Sequence, residues 1–157
     1  MAQYKCVTVT VNLCNPTWYT PFVNKLLTSD KIYIARSKML KAGRGVFARV
    51  AIEKGEIIER CPIIEIQKHD ASSLDESELV TYIYYLGRNK ERLTIALGFG
   101  SIYNHAYQPN ARYKEKYKGK TIDFIAIKEI KKDEEIIVNY SQGNQKDKSP
   151  LWFKVAS

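Results

Sequence analysis

The stretch that decides the fold is GFGSIYNHAYQPNARY, residues 98–113. It contains three tyrosines, an adjacent Asn104-His105 pair and the turn-forming dipeptide Pro109-Asn110. The stretch follows neither the period of an amphipathic helix nor the alternation of a strand. A loop with so many aromatic side chains is an unusual segment to leave exposed to water. Its composition raises the question of what chemistry needs these side chains together, and the rest of the chain supplies the answer.

The composition describes a folded protein of ordinary size. The chain has 157 residues, which suits one compact domain with its own core. Hydrophobic residues make up 45% and charged residues 27%, a balance that excludes a disordered chain. Eleven tyrosines dominate the aromatic residues. A tyrosine wall is apolar yet presents hydroxyl groups, so this enrichment indicates either a lined pocket or a tyrosine-rich core.

The chain is basic, with a formal net charge of +8. Such a charge could attract nucleic acid, an acidic membrane or an acidic protein. The lysines are scattered, however, and their one local concentration, KEKYKGK at 114–120, is more typical of a solvated hairpin end than of a binding site. The sequence therefore predicts no direct nucleic-acid contact.

The numbers of cysteines and histidines bear on the cellular compartment and on metal binding. The three cysteines, Cys6, Cys14 and Cys61, have no C-x-x-C spacing, which indicates a cytoplasmic or other reducing interior. With only His69 and His105 available, we expect no metal site. No apolar stretch is long enough to cross a bilayer, so we expect no membrane partner.

Most of the chain after residue 30 has the pattern of short strands. Seven segments alternate or are continuously apolar, namely 31–37, 41–52, 57–66, 92–100, 110–117, 121–127 and 134–140. Pro62 lies inside the third segment, which predicts an edge or a bend because proline cannot donate to a ladder. Residues 1–30 are interpreted as an N-terminal extension, with a strand-like alternation over 5–13.

One segment has a helical pattern. Ser73 and Glu76 have the spacing of a capping box. Leu79, Tyr82, Ile83 and Leu86 then recur at helical spacing, and Gly87 could end the element. The sequence therefore predicts a helix over 73–87. Many short strands with one main helix indicate an α+β protein that is mostly β.

Two segments resemble each other within the chain. ARVAIEKGEII at 48–58 and AIKEIKKDEEII at 126–137 share alanine, isoleucine, lysine and glutamate at the same offsets. Each predicts a strand, a tight turn and a returning strand. We interpret the similarity as a recurrent hairpin pattern and not as a duplication.

Three stretches together resemble the SET domain, the fold of the main class of protein-lysine methyltransferases. They are GRGVFA (43–48), residues 98–113 and EEIIVNY (134–140), in the order and separation of that family. The match covers about residues 31–140, and in length it is most similar to the short viral and bacterial SET proteins. The resemblance implies a SET fold of small sheets with a knot-like C-terminal crossing. It also implies a catalytic domain at 31–141 and a tail at 142–157 that could close the cofactor site.

The resemblance implies S-adenosylmethionine (AdoMet) as cofactor, in a pocket opposite a channel for the substrate lysine. The cofactor-binding residues would be Gly43, Arg44, Gly45, Asn104, His105, Tyr140 and Trp152. Two glycines expose main chain around Arg44, and the Asn104 amide can both donate and accept. The backbone of His105 would meet the adenine while its ring braces the loop, although a purely structural histidine would look the same. Trp152 could stack on the adenine.

The catalytic residues implied by the resemblance are Tyr140, Tyr113 and Tyr82. The Tyr140 hydroxyl would orient the amine and the methyl group, and Tyr113 would line the channel. Tyr82 would form the opposite wall, with Tyr84 and Tyr85 as rivals for that place, and any of these three could instead be core.

Two features depart from many eukaryotic relatives. Ala106 and Tyr107 follow the Asn-His pair, and the tail lacks the cysteines of a zinc-binding segment. The missing zinc-binding tail bears on which substrate is recognised more than on whether the protein is active.

The function predicted is therefore AdoMet-dependent methylation of a lysine on a protein, histones being the commonest target of the family. The alternatives are a SET-like module that binds lysine-rich tails without catalysis, and a basic nucleic-acid-binding protein with exposed aromatic platforms. The acidic segment DASSLDESE (70–78) could receive a basic substrate. A histone substrate would place the protein in the nucleus, or in a host nucleus, and the sequence leaves a homodimer open.

Overall fold

The computed structural model describes residues 28–67, 69–75, 77–87, 89, 91–141 and 148. Within this part of the chain there are nine strands, one α-helix and two 3₁₀ helices. In chain order the elements are β1 (Ile32–Arg36), β2 (Arg44–Ala48), β3 (Ile57–Ile66), α1 (Ala71–Asp75), a 3₁₀ helix (Glu78–Tyr82), β4 (Ile83–Leu86), β5 (Arg92–Ala96), β6 (Asn104–His105), β7 (Ala111–Lys116), a second 3₁₀ helix (Tyr117–Gly119), β8 (Thr121–Ala126) and β9 (Glu135–Val138). The α+β, mostly β architecture is confirmed.

The strands form two sheets that differ in how they are connected. The first has the order β1-β2-β9-β6 and the second has the order β4-β5-β3-β8-β7. All recorded strand pairs are antiparallel except β6 with β9, which run parallel. That exception joins residues from the middle of the chain to residues near its end.

The core lies where these sheets meet. Its largest fully buried side chains include Tyr103, Phe124 and Ile136. The rings of Tyr103 and Phe124 stack with centroids 4.2 Å apart, which ties the loop before β6 to the centre of β8. Strand β8 is buried at five of its six positions, as expected for a central strand covered on both faces. The segment at 98–113 is thus attached directly to the core.

Strand β3 changes partner at Pro62. Residues Ile57–Pro62 pair with β8, whereas Ile63–Ile66 pair with β5. The prediction of an edge at Pro62 is wrong, because β3 lies between β5 and β8. Proline is tolerated there because its missing N–H coincides with the change of partner, while its carbonyl accepts the Leu97 N–H at 2.9 Å.

The prediction of one helix over 73–87 is wrong. The α-helix spans only Ala71–Asp75, a 3₁₀ helix follows at Glu78–Tyr82, and Ile83–Leu86 form a strand. Ser73 lies inside α1 and not at its start, and Glu76, its expected partner in a capping box, lies outside the described residues. The Ser77 hydroxyl accepts the Leu79 N–H at the start of the 3₁₀ helix.

Tertiary pairing explains the error. Ile83 and the residues after it form an antiparallel ladder with β5, in which Ile83 faces Ile95 and Tyr84 faces Thr94. A β-branched residue followed by two tyrosines favours a strand when a partner strand is available. The apolar residues that matched a helical period also serve as alternating positions of a strand.

The two similar segments pair with each other almost symmetrically. The Ala48 N–H donates to the Glu134 carbonyl (3.0 Å), and the Ala126 N–H donates to the Glu56 carbonyl (3.0 Å). Ile52 and Ile130 exchange two backbone hydrogen bonds of 2.9 Å each. The recurring sequence therefore corresponds to equivalent positions of one pairing that joins the start of β3 to the turn before β9.

Several predictions fall on residues outside the described ranges. They are the strand-like segment at 5–13, most of the tail at 142–157 and Trp152. The described chain begins beside β3, where the Ser29 hydroxyl donates to the Ile58 carbonyl at 2.6 Å. In the part of the chain that the structure covers, no helix is long and apolar enough to span a bilayer. The same residues include no cluster of three or more His, Cys, Asp or Glu side chains suited to a metal ion.

A buried asparagine reinforces the crossing of the chain near β9. The Asn110 amide nitrogen donates to Glu134 Oε1 (3.0 Å) and to the Glu135 carbonyl (2.9 Å), and its Oδ1 accepts the Ile137 N–H (2.8 Å). The Asn110 N–H also donates to the Ile137 carbonyl at 3.2 Å. This single residue therefore acts as a short strand partner for β9, a role that explains the Pro109-Asn110 turn.

Replacing Asn110 with alanine should destabilise the fold. The change leaves the Ile137 N–H and the Glu135 carbonyl without these partners, at a cost of about 1–3 kcal/mol for each buried group left unsatisfied. Urea unfolding of the Asn110→Ala protein measures the loss. Asn89→Ala, at an exposed position, is the matched control and should change stability little. Equal midpoints for the two variants would show that the side chain of Asn110 is not a structural partner of β9.

Candidate active site

The parallel pair of strands β6 and β9 assembles the site. Asn104 lies opposite Ile137 and His105 lies opposite Val138 in this pairing. Tyr140 follows β9 by two residues and its ring lies against the His105 ring, with centroids 5.1 Å apart. Strand β2, which carries the motif at 43–48, pairs with β9 on the side opposite β6. The motifs at 43–48 and 134–140 therefore lie beside the segment at 98–113.

A buried carboxylate holds three segments together at one end of the site. Glu135 is 5% exposed, and its carboxylate accepts hydrogen bonds from the Ser37 hydroxyl (2.7 Å), the Lys38 N–H (2.9 Å) and the Asn104 amide (2.8 Å). Burying a carboxylate is costly unless donors surround it, and here three do. The sequence analysis did not identify Glu135 as a site residue. Its signal was an acidic residue at the start of an otherwise apolar strand.

The glycine-containing segment lies directly against this carboxylate. A Cβ at Gly45 would overlap Glu135 Oε1 and would lie 3.1 Å from the Asn104 amide nitrogen. The Asn104 amide nitrogen also donates to the Arg44 carbonyl at 2.9 Å. Gly43 has a φ of +71° with open space around it, whereas Arg44 is exposed. Gly45 is therefore required for close packing, and Gly43 for the turn.

His105 is a buried, uncharged histidine in this structure. Its side chain is enclosed, with 4% of the residue exposed, and burial lowers the pKa of the imidazole. Nδ1 accepts the Tyr140 backbone N–H at 3.0 Å. Among the described residues Nε2 has no hydrogen-bond partner. The ring of His105, which was expected to brace the loop, is hydrogen-bonded to the backbone of Tyr140.

Tyr140 is held through its hydroxyl and both backbone groups. The hydroxyl donates to the Tyr103 carbonyl at 2.6 Å, and the Tyr140 carbonyl accepts the Tyr113 hydroxyl at 3.1 Å. Burial, with a smaller contribution from Tyr82, raises the pKa of the Tyr140 phenol to about 12. The phenol is therefore protonated at neutral pH. Tyr82 is close enough to affect this pKa and is 40% exposed, at the end of the first 3₁₀ helix.

Further tyrosines form the inner wall beside Tyr113. The Tyr84 ring packs edge-on against Tyr113, with centroids 5.1 Å apart, and its hydroxyl donates to the Gly100 carbonyl at 2.5 Å. Burial raises the pKa of Tyr84 well above its ordinary value. Tyr85, the next residue of β4, is 48% exposed on the opposite face of the strand. Of the two rivals to Tyr82, the structure places only Tyr84 against Tyr113.

A second buried carboxylate, that of Glu59, holds the loop that contains Tyr103. Glu59 is 8% exposed and accepts the Phe99 N–H (3.0 Å) and the Tyr103 hydroxyl (3.1 Å). Burial is also the main cause that raises the pKa of Tyr103. Glu59 was not among the predicted site residues because its segment has the pattern of an apolar strand.

The structure brings together all of the predicted site residues that it describes. Arg44 and Gly45 contact Asn104, and Gly43 forms the turn before them. Tyr140 is hydrogen-bonded to His105 and Tyr113 and lies near Tyr82. Trp152 lies outside the described residues. The arrangement is a half-buried tyrosine beside an asparagine-histidine pair and an exposed arginine.

Comparisons with known proteins agree with this geometry. The family model for the SET domain matches residues 43–141. A histone-lysine N-methyltransferase of Schizosaccharomyces pombe, described as H3 lysine-37 specific, is 30% identical over 115 residues, which are 73% of this chain and 72% of the relative.

Two solved structures illustrate the likeness of fold. A candidate histone methyltransferase of Plasmodium falciparum superposes with a TM-score of 0.54 at 33% identity, covering 71% of this chain and 97% of the other. A chain of the polycomb repressive complex 2 of Chaetomium thermophilum, bound to S-adenosylmethionine, gives a TM-score of 0.59 at 26% identity. That match covers 73% of this chain but only 16% of the complex subunit.

These relatives come from a yeast, another fungus and a protozoan parasite, so they do not support the expected affinity to short viral and bacterial SET proteins. The matched range contains all three sequence motifs together with the residues that surround Tyr140. The chain belongs to the SET domain family of AdoMet-dependent protein-lysine methyltransferases.

Proposed function

We propose that this methyltransferase acts on a lysine of a histone, and that Tyr140 is the residue that orients the reacting amine. The single observation that carries the proposal is the fixation of Tyr140 by Tyr103, His105 and Tyr113 at the end of β9. The S. pombe relative, named as a histone H3 methyltransferase, supports the choice of substrate class.

The residues of the first two motifs fit AdoMet. The amide nitrogen of Asn104 is occupied by the Arg44 carbonyl and by Glu135, which leaves Oδ1 of Asn104 as an acceptor for the cofactor's ammonium group. The Glu135 carboxylate adds negative charge beside that position. Arg44 is exposed and can pair with the cofactor's carboxylate. When bound, AdoMet supplies a methyl group on a cationic sulfonium.

The chain must also receive the lysine as a free amine. A lysine in water has a pKa near 10.4 and is mostly charged at neutral pH. The tyrosine walls of Tyr84 and Tyr113 would desolvate the amine, which lowers its pKa. Glu59 and Glu135 are already engaged by hydrogen-bond donors and are not the base in this proposal, so the amine gives its proton to water.

Tyr140 acts in this proposal as a fixed hydrogen-bond acceptor. Its proton is committed to the Tyr103 carbonyl, so the lone pairs of the phenol oxygen can accept an N–H of the substrate amine. With a pKa of about 12, the phenol is not a general base at neutral pH. Holding the amine in this way aligns its lone pair with the methyl group, and alignment supplies much of the rate in a displacement of this kind.

The acidic segment at 70–78 supports a basic substrate. Asp70 and Glu78 are exposed, and the same segment leads into Tyr82, which lies near Tyr140. A lysine flanked by basic residues could therefore approach the site despite the net charge of +8. A histone substrate implies a nuclear location. A homodimer and the lack of direct nucleic-acid contact stay predictions.

The domain limits also belong to this proposal. We assign catalysis to residues 31–141, an N-terminal extension to 1–30 and a tail that helps to close the cofactor site to 142–157. Methylation assays with a chain shortened to residues 31–141 would test these limits.

Replacing Asn104 with alanine should weaken AdoMet binding. The change removes the Oδ1 acceptor and frees the Arg44 carbonyl and Glu135, and lost buried hydrogen bonds cost roughly 1–3 kcal/mol. Calorimetric titration with AdoMet measures the effect, with Asn89→Ala as the exposed control. An affinity equal to that of the unmodified protein would place the cofactor elsewhere.

Tyr140→Phe should abolish most of the turnover while preserving the fold. The ring and both backbone hydrogen bonds remain, and only the hydroxyl that meets the amine and the Tyr103 carbonyl is lost. We expect kcat to fall about 100-fold or more, as for other groups that position a reacting atom. Mass spectrometry of recombinant histone H3 incubated with AdoMet gives the rate. A variant that methylates H3 at the unmodified rate would remove Tyr140 from the mechanism.

Tyr113 should limit the number of methyl groups added. Each methyl enlarges the nitrogen and removes an N–H donor, so a hydroxyl near the amine restricts later transfers. Val138, two residues before Tyr140, is fully buried and offers no hydroxyl. We expect mono- and dimethyl-lysine from the unmodified protein and a shift to higher states in Tyr113→Phe. Product spectra at early times decide the matter, and early trimethyl-lysine from the unmodified protein would contradict it.

A further inference from the structure

We propose that the N-terminal extension, residues 1–27, covers an apolar face of the second sheet in the same molecule. The contact is made by the alternating valines of the segment at 5–13. The face is the side of β3, β4 and β5 opposite to the side that carries Tyr84. The inference concerns a docking surface within the chain, and it holds whether or not the proposed mechanism is correct.

The register of three strands defines this face. Residues that lie directly opposite each other in an antiparallel ladder share one side of the sheet. The pairings of β5 with β3 and with β4 therefore place six large apolar side chains on one side, in two rows across the strands: Ile64, Ile95 and Ile83, and next to them Ile66, Leu93 and Tyr85.

The face is open in the described part of the chain. Ile64 is 53% exposed and Tyr85 is 48% exposed, and the other four side chains are half-buried. The opposite side of the same strands is enclosed, with Thr94, Ala96 and Leu86 buried. Two adjacent rows of large apolar side chains form the kind of patch that marks a contact surface on a folded protein.

The composition of residues 1–27 suits them to cover such a patch. Fifteen of these 27 residues are hydrophobic, and only Lys5 and Lys25 are charged. So few charges and so many apolar side chains are atypical of a solvated tail. From Val7 to Leu13 apolar and polar residues alternate, so that an extended segment of this pattern has one apolar side about 20 Å long. Three strands spaced about 4.8 Å apart are narrower than that length.

The extension can reach the face. The described chain begins beside the start of β3, where the Ser29 hydroxyl donates to the Ile58 carbonyl. Ile64 lies six residues further along β3, a distance of about 20 Å. Residues 14–27 can span up to about 45 Å. Because the segment at 5–13 is attached to the same chain, its local concentration is on the order of millimolar, an advantage that no separate partner has.

Covering this face would also support the tyrosine wall. Strands β4 and β5 form the hairpin that places the Tyr84 ring against Tyr113, with centroids 5.1 Å apart. The outer rows and the Tyr84 ring lie on opposite sides of the same strands. An apolar segment packed on the outer side would therefore make the hairpin harder to open, and the extension would stabilise the fold from a side away from the cofactor.

The first test uses neighbouring substitutions in the full chain. Val9→Asp would place a carboxylate against the apolar face and should lower the melting temperature by about 3 °C or more. Thr10→Asp, on the other side of the alternation, is the matched control and should change it by about 1 °C or less. The loss in a Val9→Asp, Ile64→Thr double variant should be smaller than the sum of the single losses, because both changes remove one contact.

Equal effects of Val9→Asp and Thr10→Asp, or strictly additive losses in the double variant, would overturn the proposal. Hydrogen exchange gives a readout that does not depend on unfolding temperatures. The amides of residues 7–13 should exchange slowly in the unmodified protein, and at least about tenfold faster in Val9→Asp than in Thr10→Asp. Amides that exchange at the rate of a free peptide in the unmodified protein would contradict the docking.

Dilution distinguishes the same molecule from a second copy. A contact within one chain keeps its protection at every protein concentration, whereas a contact between copies is lost by mass action. We expect the exchange of residues 7–13 and of β5 to stay constant over an about hundredfold dilution. Protection that falls on dilution, together with a sedimenting dimer that Ile64→Thr dissociates, would assign the face to a second copy and overturn the proposal.

Discussion

The site depends on one short parallel pairing, that of β6 with β9. Two residues of β6 meet two residues of β9, and the chain between them forms the β7–β8 hairpin. Two strands of two to four residues would be a weak contact in isolation. The Asn110 side chain completes it, because its amide bonds the Glu135 carbonyl and the Ile137 N–H of β9. The asparagine-histidine pair and the terminal tyrosine are neighbours because of this crossing.

Two buried carboxylates then define the two sides of the site. Glu135 accepts hydrogen bonds from the turn that follows β1 and from the Asn104 amide, and so holds these two segments together. Glu59, in β3, accepts hydrogen bonds from the loop at 98–103 and holds that loop against the strand. Each would be expensive to bury alone, and each is surrounded by donors that come from distant parts of the chain. The two carboxylates therefore hold loop segments in place, and the proposed acceptor for the amine is the Tyr140 phenol.

The sequence predicted the strands more accurately than the helix, and it did not point to the carboxylates that support the site. Strands β1, β3, β8 and β9 follow from alternation or apolar runs, which are local signals. The segment at 83–86 has two periods at once, and only the pairing with β5 selects the strand. Glu59 and Glu135 were missed for a related reason: their burial depends on donors far along the chain, and no local pattern records where those donors lie.

Burial favours the uncharged form of each titratable side chain in the site whose pKa is shifted. It raises the pKa of Tyr84, Tyr103 and Tyr140, and it lowers the pKa of His105, so that every one of these groups is uncharged near neutrality. None of these four side chains is a counter-ion for an incoming ammonium, and in the proposed mechanism they therefore favour the free amine, which alone can attack a methyl group. In the proposed mechanism, the desolvation that makes the tyrosines poor bases also lowers the pKa of the substrate lysine, so that the amine gives its proton to water before the transfer and no protein base is needed.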